Sequence, residues 1–248
     1  MFLREDGTVV TQAEHSRLSG ELALLLGQFL RQDVARLAGA IALHDWPHFG
    51  GSHVDNIEIG QKSDADQRML VDRLAADLPF DDFTELIMRM HWRRLTDESD
   101  VELRDAVSDA RIEELRRAEE ISATQLERLD VWTDVCDALA YYVSLSLTAS
   151  PAFELPSLSG DDRWELTTRI EPGLLEIASR KLVDAGEGAG EDAGEDAGRS
   201  AATEASTAER SGAVLRDRVS LVSYEGEPYP ELLVPSMYSV VCTFTQQE

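Results

Sequence analysis

Apolar positions in the first 150 residues recur at spacings of three and four. Leu18, Leu22, Leu25 and Phe29 make one face of a helix. Thr11-Gln-Ala-Glu14, just ahead of them, has the form of a capping box. His15 stands three residues before Leu18, on that same stripe. Val34, Leu37 and Ile41 predict a second helix that reaches His44-Asp45 and stops at Trp46-Pro47, since a residue before proline is pushed out of the α region. Gly50-Gly51 and Gly60 punctuate a loop from His48 to about residue 63. Short helices are predicted over about 64–77 and 81–96, the second capped around Asp82 and Glu85. A charged, exposed helix follows over about 99–128, rich in Arg–Glu pairs at favourable spacing. The last helix, about 129–147, carries Leu129, Thr133, Cys136, Ala140, Val143 and Leu147 on one side.

Past Pro151 the period changes. Trp164 to Ile170 alternates, Pro172-Gly173 is a turn signal, and Leu175 to Leu182 reads as a returning strand or as a helix opening at Pro172. Val219–Tyr224 and Tyr238–Thr245 are strand-like. Between them Asp184–Gly212, with its repeated Ala-Gly-Glu-Asp, holds too little apolar surface to order itself. The expected fold is therefore mainly α. It has a helical domain over 1–150 and a small C-terminal antiparallel β appendage over 151–248, interrupted by an acidic insert at about 184–212.

Charge narrows the setting. Lys and Arg number 23 against 48 Asp and Glu, a net charge of −25, and lysine occurs only at Lys62 and Lys181. With no excess of cations to displace counterions, binding to a nucleic-acid duplex is excluded as a general activity. Docking to an anionic membrane is disfavoured for the same reason. Self-repulsion at this density weakens a compact state at low salt, and about 1 M salt screens it to a Debye length of about 3 Å. The pattern resembles cytoplasmic proteins of organisms that accumulate salt. Cys136 and Cys242 form neither a disulfide framework nor a metal-type spacing. The first ten residues turn charged at Arg4 and lack an apolar signal core, and no apolar run is long enough for a bilayer. A soluble, cytoplasmic protein is expected.

The chemistry rests on five histidines, His15, His44, His48, His53 and His91, and on two aspartates. Asp45 follows His44 directly. Asp137 stands inside the apolar run Val135–Val143, where a charge is costly unless paired or bound to a cation. Any one helical histidine is more often a satisfied core residue than a ligand, so the weight lies in the set. Imidazole plus carboxylate suits Mn, Fe, Co, Ni or Zn, and His15, His44, Asp45, His91 and Asp137 are the candidate ligands of such a divalent transition metal. Asp45, His48 and His53 are the candidate catalytic residues, the two loop histidines as proton donors. Lys62 beside Gly60, and Arg94, are candidates to hold a phosphate.

The order of these motifs resembles the HD-domain superfamily of metal-dependent phosphohydrolases, in which an early His, a His-Asp doublet and a late Asp bind a metal within a helical bundle. The closer resemblance is to an uncharacterised HD-like family. Its pattern of Gln-x-x-His, His-Asp soon followed by Trp, a later Met-His and an Asp in the last helix is met here by Gln12-Ala-Glu-His15, His44-Asp45-Trp46, Met90-His91 and Asp137. The likeness spans about residues 9–150. It implies an HD-like bundle with a metal centre but no substrate, and the chemistry of a metal-activated water makes hydrolysis of a phosphate ester or nucleotide the expected function. A non-catalytic metal- or ligand-binding helical protein is the alternative, and assembly into a homo-oligomer is left open.

Overall fold

A computed structural model describes residues 2–4, 7–48, 64–96, 100–182, 214–225 and 234–247. Helix α1 (Gln12–Leu30) starts where Thr11 accepts a hydrogen bond from the Glu14 N–H at 3.1 Å. The Glu14 carboxylate does not close the expected box. It accepts from Arg17 and, at 2.7 Å, from the Val222 N–H in the sheet. Helix α2 (Ala35–Ile41) lies close against α1 because two residues of α1 lack a side chain: a Cβ on Gly27 would stand 2.1 Å from Val34 Cγ2, and one on Gly20 2.7 Å from the Ala38 carbonyl oxygen. That close approach brings the chain after α2 alongside the first turns of α1.

Helices α3 (Asp64–Ala75), α4 (Asp82–Leu95), α5 (Val101–Val107) and α6 (Asp109–Ala118) follow, then the long α7 (Ala123–Ser144). The cap of α4 is Asp81, which accepts from the Thr84 N–H at 2.8 Å. The single helix expected over 99–128 is in fact broken twice. Ser108 takes a positive φ of 57° between α5 and α6, and Ser122 opens α7 with a complete capping box to Gln125. Leu70, Leu74, Leu86, Met88, Leu103, Val107, Ile112 and Leu115 pack α3 to α6 into one apolar cluster.

Two N-terminal strands, β1 (Phe2–Leu3) and β2 (Val9–Val10), join five C-terminal ones: β3 (Ala152–Pro156), β4 (Arg163–Glu171), β5 (Leu174–Leu182), β6 (Val214–Glu225) and β7 (Val234–Gln247). The order is β1-β2-β6-β7-β5-β4-β3, and only β5–β7 is parallel, with Leu174 opposite Val241. Trp164, Leu166 and Ile170 of β4, Leu175 and Ile177 of β5, and Val240, Cys242 and Phe244 of β7 turn inward onto Leu18, Leu22 and Leu26 of α1 and Trp132, Val135 and Leu139 of α7.

The expectation of an HD-like helical bundle with a small antiparallel β appendage is thereby overturned. The sheet is seven-stranded and mixed, it recruits the N-terminus, and it shares the main core with α1 and α7. The reason is physical: β4, β5 and β7 each carry an apolar face that must be buried, and α1 and α7 cover it. Strands, not a helix at Pro172, occupy 174–182. The acidic insert at 184–212 lies outside the described residues. Cys136 and Cys242 are both buried and free. Among the described residues, no helix is long and apolar enough to cross a membrane.

Candidate metal centre

Four separate stretches of chain deliver side chains to one point. His15 comes from the first turns of α1, His91 from α4 and Asp137 from α7. His44 and Asp45 lie not on α2, as the helical period suggested, but in the consecutive turns that follow it, ahead of a 3-10 turn at Trp46–His48. Those turns are anchored from outside. The Trp92 indole N–H donates to the His44 carbonyl at 3.1 Å, and the Arg73 guanidinium donates to the Pro47 carbonyl at 2.7 Å.

The distances are short. His15 Nε2 is 2.7 Å from Asp137 Oδ1, and His44 Nε2 is 3.2 Å from the same oxygen and 3.4 Å from Asp45 Oδ2. His91 Nε2 is 3.3 Å from Asp45 Oδ1. The rings of His44 and His91 meet edge to face at 4.3 Å between centroids. All three imidazoles and Asp45 are buried, while the Asp137 side chain keeps 20 % of its surface exposed at the mouth of a cleft.

Burial by itself opposes a positive His44, but the Asp45 and Asp137 carboxylates outweigh it and raise the imidazole to about 9. Burial likewise works against a charged Asp45, yet His44 and then His91 and His15 hold it well below the ordinary carboxylate range. Asp137 is lowered in the same sense, against its own burial, chiefly by the positive His44 and by the hydrogen bond with His15. His91 moves the other way, pushed down by burial and by the positive His44.

The residues fit a divalent cation. His44 Nδ1 lies 2.6 Å from the Ile41 carbonyl oxygen, and a carbonyl only accepts, so Nδ1 carries the hydrogen and Nε2 is the free donor atom. That Nε2 is buried, has no hydrogen bond of acceptable direction, and faces two carboxylates. With no ion present the raised His44 carries a proton there, and a divalent cation taking the proton's place would serve the same two carboxylates. Donor atoms of His15, His44 and Asp137, and again of His44, Asp45 and His91, all fall within 4.8 Å of one another. Two ligands bound at about 2.1 Å stand at most about 4.2 Å apart, so small adjustments bring either set onto an ion. The nitrogen and oxygen set is the one expected from the sequence for Mn, Fe, Co, Ni or Zn.

The cleft above these groups, about 250 Å³, is lined by Gln12, His15, Asp45, His48, His91, Leu95, Asp137, Ala138 and Tyr141. His48 is buried in its wall, with its ring 5.0 Å from that of Trp92. Arg94, expected to hold substrate, is engaged elsewhere: Nη1 donates to Asp130 Oδ1 at 2.6 Å and Nε lies 3.0 Å from Asp134 Oδ1. His53 and Lys62 lie outside the described residues. Two lining residues had no part in the candidate set although spacing points to both. Gln12 is three before His15, and Tyr141 is four after Asp137, so each shares a helix face with a ligand. No protein-family model matches this chain, and no curated protein or solved structure matches it either.

Proposed function

We propose that this protein is a metal-dependent phosphohydrolase of HD type in its ligand set, acting on a small phosphate ester or nucleotide. The observation that carries the reading is the meeting of His15, His44, Asp45 and Asp137, from three parts of the chain, around the unsatisfied His44 Nε2. These four residues would hold the ion. When bound, a divalent cation lowers the pKa of water from about 15.7 toward about 7 and screens the charge of a phosphate oxygen.

The chain's own residues supply the rest. Asp45 and Asp137 present carboxylates to His44 Nε2 and would hold the ion together with it, and Ile41 fixes the His44 ring through its carbonyl. His48, in the cleft wall, is placed to hold a proton for a leaving oxygen. Leu95, Ala138 and Tyr141 form the outer walls. A cleft of about 250 Å³ lies below the roughly 300–1,000 Å³ common for small-molecule pockets, which favours a small ester over a bulky one. The chain's −25 charge repels an anionic substrate everywhere except where the ion reverses the field. We assign the protein to a salt-rich cytoplasm on that same charge, with neither a nucleic-acid duplex nor a membrane as partner.

The test is a panel of phosphomonoesters, phosphodiesters and nucleotides presented to the Mn²⁺-loaded protein in 2 M KCl. Turnover in the wild type, with both metal retention and turnover lost in Asp45→Ala, is the expected result. A variant that keeps both would refute the proposal, and a wild type that holds metal yet turns over no member of the panel would make the centre a non-catalytic binding site.

A further inference from the structure

We infer that Arg94 is a positioning residue that holds His91 with its hydrogen on Nε2, so that His91 donates to an oxyanion in the cleft and does not ligate the ion. The inference deepens the metal-centre reading above: it limits the centre to one ion and gives the phosphoryl group a directional donor.

Arg94 stands in the last turn of α4, three residues beyond His91. Asp130 and Asp134, one turn apart on α7, fix its guanidinium through Nη1 at 2.6 Å and Nε at 3.0 Å. Its remaining nitrogen, Nη2, lies 3.2 Å from His91 Nδ1. A guanidinium has only donors, so Nδ1 is the acceptor and its lone pair is spent there. The neutral ring then carries its hydrogen on Nε2.

That Nε2 is buried and has no hydrogen bond of acceptable direction; Asp45 Oδ1, 3.3 Å away, is out of line. His91 nevertheless lines the cleft, next to Asp45 and Asp137. A buried N–H without a partner is costly, and His91 belongs to the lining of a cleft that a ligand oxygen can enter. Ligation through Nε2 would require the hydrogen to move to Nδ1, where it would oppose the Arg94 N–H head on.

The count of ions follows from similar reasoning. The two candidate donor sets, His15–His44–Asp137 and His44–Asp45–His91, both require His44. Its Nδ1 is committed to Ile41, so Nε2 alone is available and serves one ion. With His91 facing the cleft as a donor, the second set loses its third member. The ligand class that matches an N–H beside a cation is a tetrahedral oxyanion, and inorganic phosphate is the simplest probe.

Two measurements test this. In ion-free protein with ¹⁵N-labelled histidine, NMR should show His91 as the Nε2–H tautomer. Arg94→Met should shift it toward Nδ1–H, and Arg94→Lys should restore it in part. In the Mn²⁺-loaded protein, wild type and His91→Ala should each hold one ion per chain with affinities within threefold. Inorganic phosphate should bind about tenfold more weakly to His91→Ala and to Arg94→Met. An Nδ1–H tautomer in the wild type, two ions per chain, or a tenfold loss of Mn²⁺ affinity in His91→Ala would overturn the inference. A wild type that retains no ion defeats the metal-centre reading instead, and the tautomer in ion-free protein still decides the role of Arg94.

Discussion

Replacing Arg89 with methionine removes a single buried guanidinium that ties three helices together. Its Nε donates to Glu85 Oε1 at 2.7 Å. Nη1 donates to the Ala106 and Val107 carbonyls at 2.9 and 3.0 Å, and Nη2 to the Leu74 carbonyl at 3.0 Å. The three carbonyls belong to the last turns of α3 and α5, where a helix has no partner of its own to offer. Methionine keeps the packing of the stem and loses all four bonds. Glu85 is not left alone, because Arg111 still donates to both its oxygens at 3.1 and 2.9 Å. The loss therefore sits toward the lower part of the roughly 3–5 kcal/mol seen when a buried pair is broken, with stranded carbonyls adding to it. A value of about 4 kcal/mol is expected. At about 2–4 °C per kcal/mol for a chain near this length, Tm should fall by about 8–16 °C. Thermal unfolding followed by circular dichroism in 2 M KCl reads it directly, with Arg89→Lys, which keeps the charge but not the fork, falling between the two. A fall in Tm of less than 3 °C for Arg89→Met would show that these carbonyls find other partners and that the network does not hold α3, α4 and α5 together.

Glu85 supplies a pH signature. Despite its burial, Arg111 and Arg89 hold its carboxyl below the usual range; a depressed folded pKa gives stability that is present above the unfolded value of about 4.3 and lost as pH falls through the lower folded one. Chemical denaturation from pH 5 down to pH 3 should thus show a shallower decline for Glu85→Gln than for wild type, and parallel curves would contradict the pairing. Salt should raise stability: the −25 charge repels itself more at 0.1 M, where the Debye length is about 10 Å, than at 1 M, where it is about 3 Å. A Tm that does not change between 0.1 and 2 M KCl would remove the argument from charge. Gly27→Ala should cost about 1–3 kcal/mol by overpacking, since the new Cβ would stand 2.1 Å from Val34 Cγ2; Val34→Ala in the same chain should recover part of it, and additive losses would place the strain elsewhere.

Elements with an uninterrupted apolar period were legible in the sequence, among them α1, α4 and the strand around Trp164–Ile170, whereas Leu175–Leu182 read equally as strand or helix. The breaks at Ser108 and Ser122 were not read, because Arg–Glu pairs run through 99–128 at helical spacing and conceal the caps at Asp100, Ser108 and Ser122. Strands of two residues, such as Val9–Val10, fall below any periodic signal. The extent of the sheet was hidden for a further reason. Its parallel pairing of β5 with β7 joins segments separated by the acidic insert, and no local pattern reports such a contact. The candidate ligands were legible because His15, His91 and Asp137 each interrupt an apolar stripe. The engagement of Arg94 was not, since it depends on Asp130 and Asp134 facing α4 across the gap between two helices.

The pairing of Val9 with Tyr224, and the Val222 amide held by Glu14 from 208 positions away, place the opening of the chain under late-arriving strands. During translation the side of α1 that meets the sheet lacks that cover until those strands emerge, so the nascent polypeptide carries sticky surface for most of its synthesis and is open to misassembly or chaperone capture. His15 rides on that same rod. A cation held by the proposed centre would meet its His15 arm only once that rod is in place.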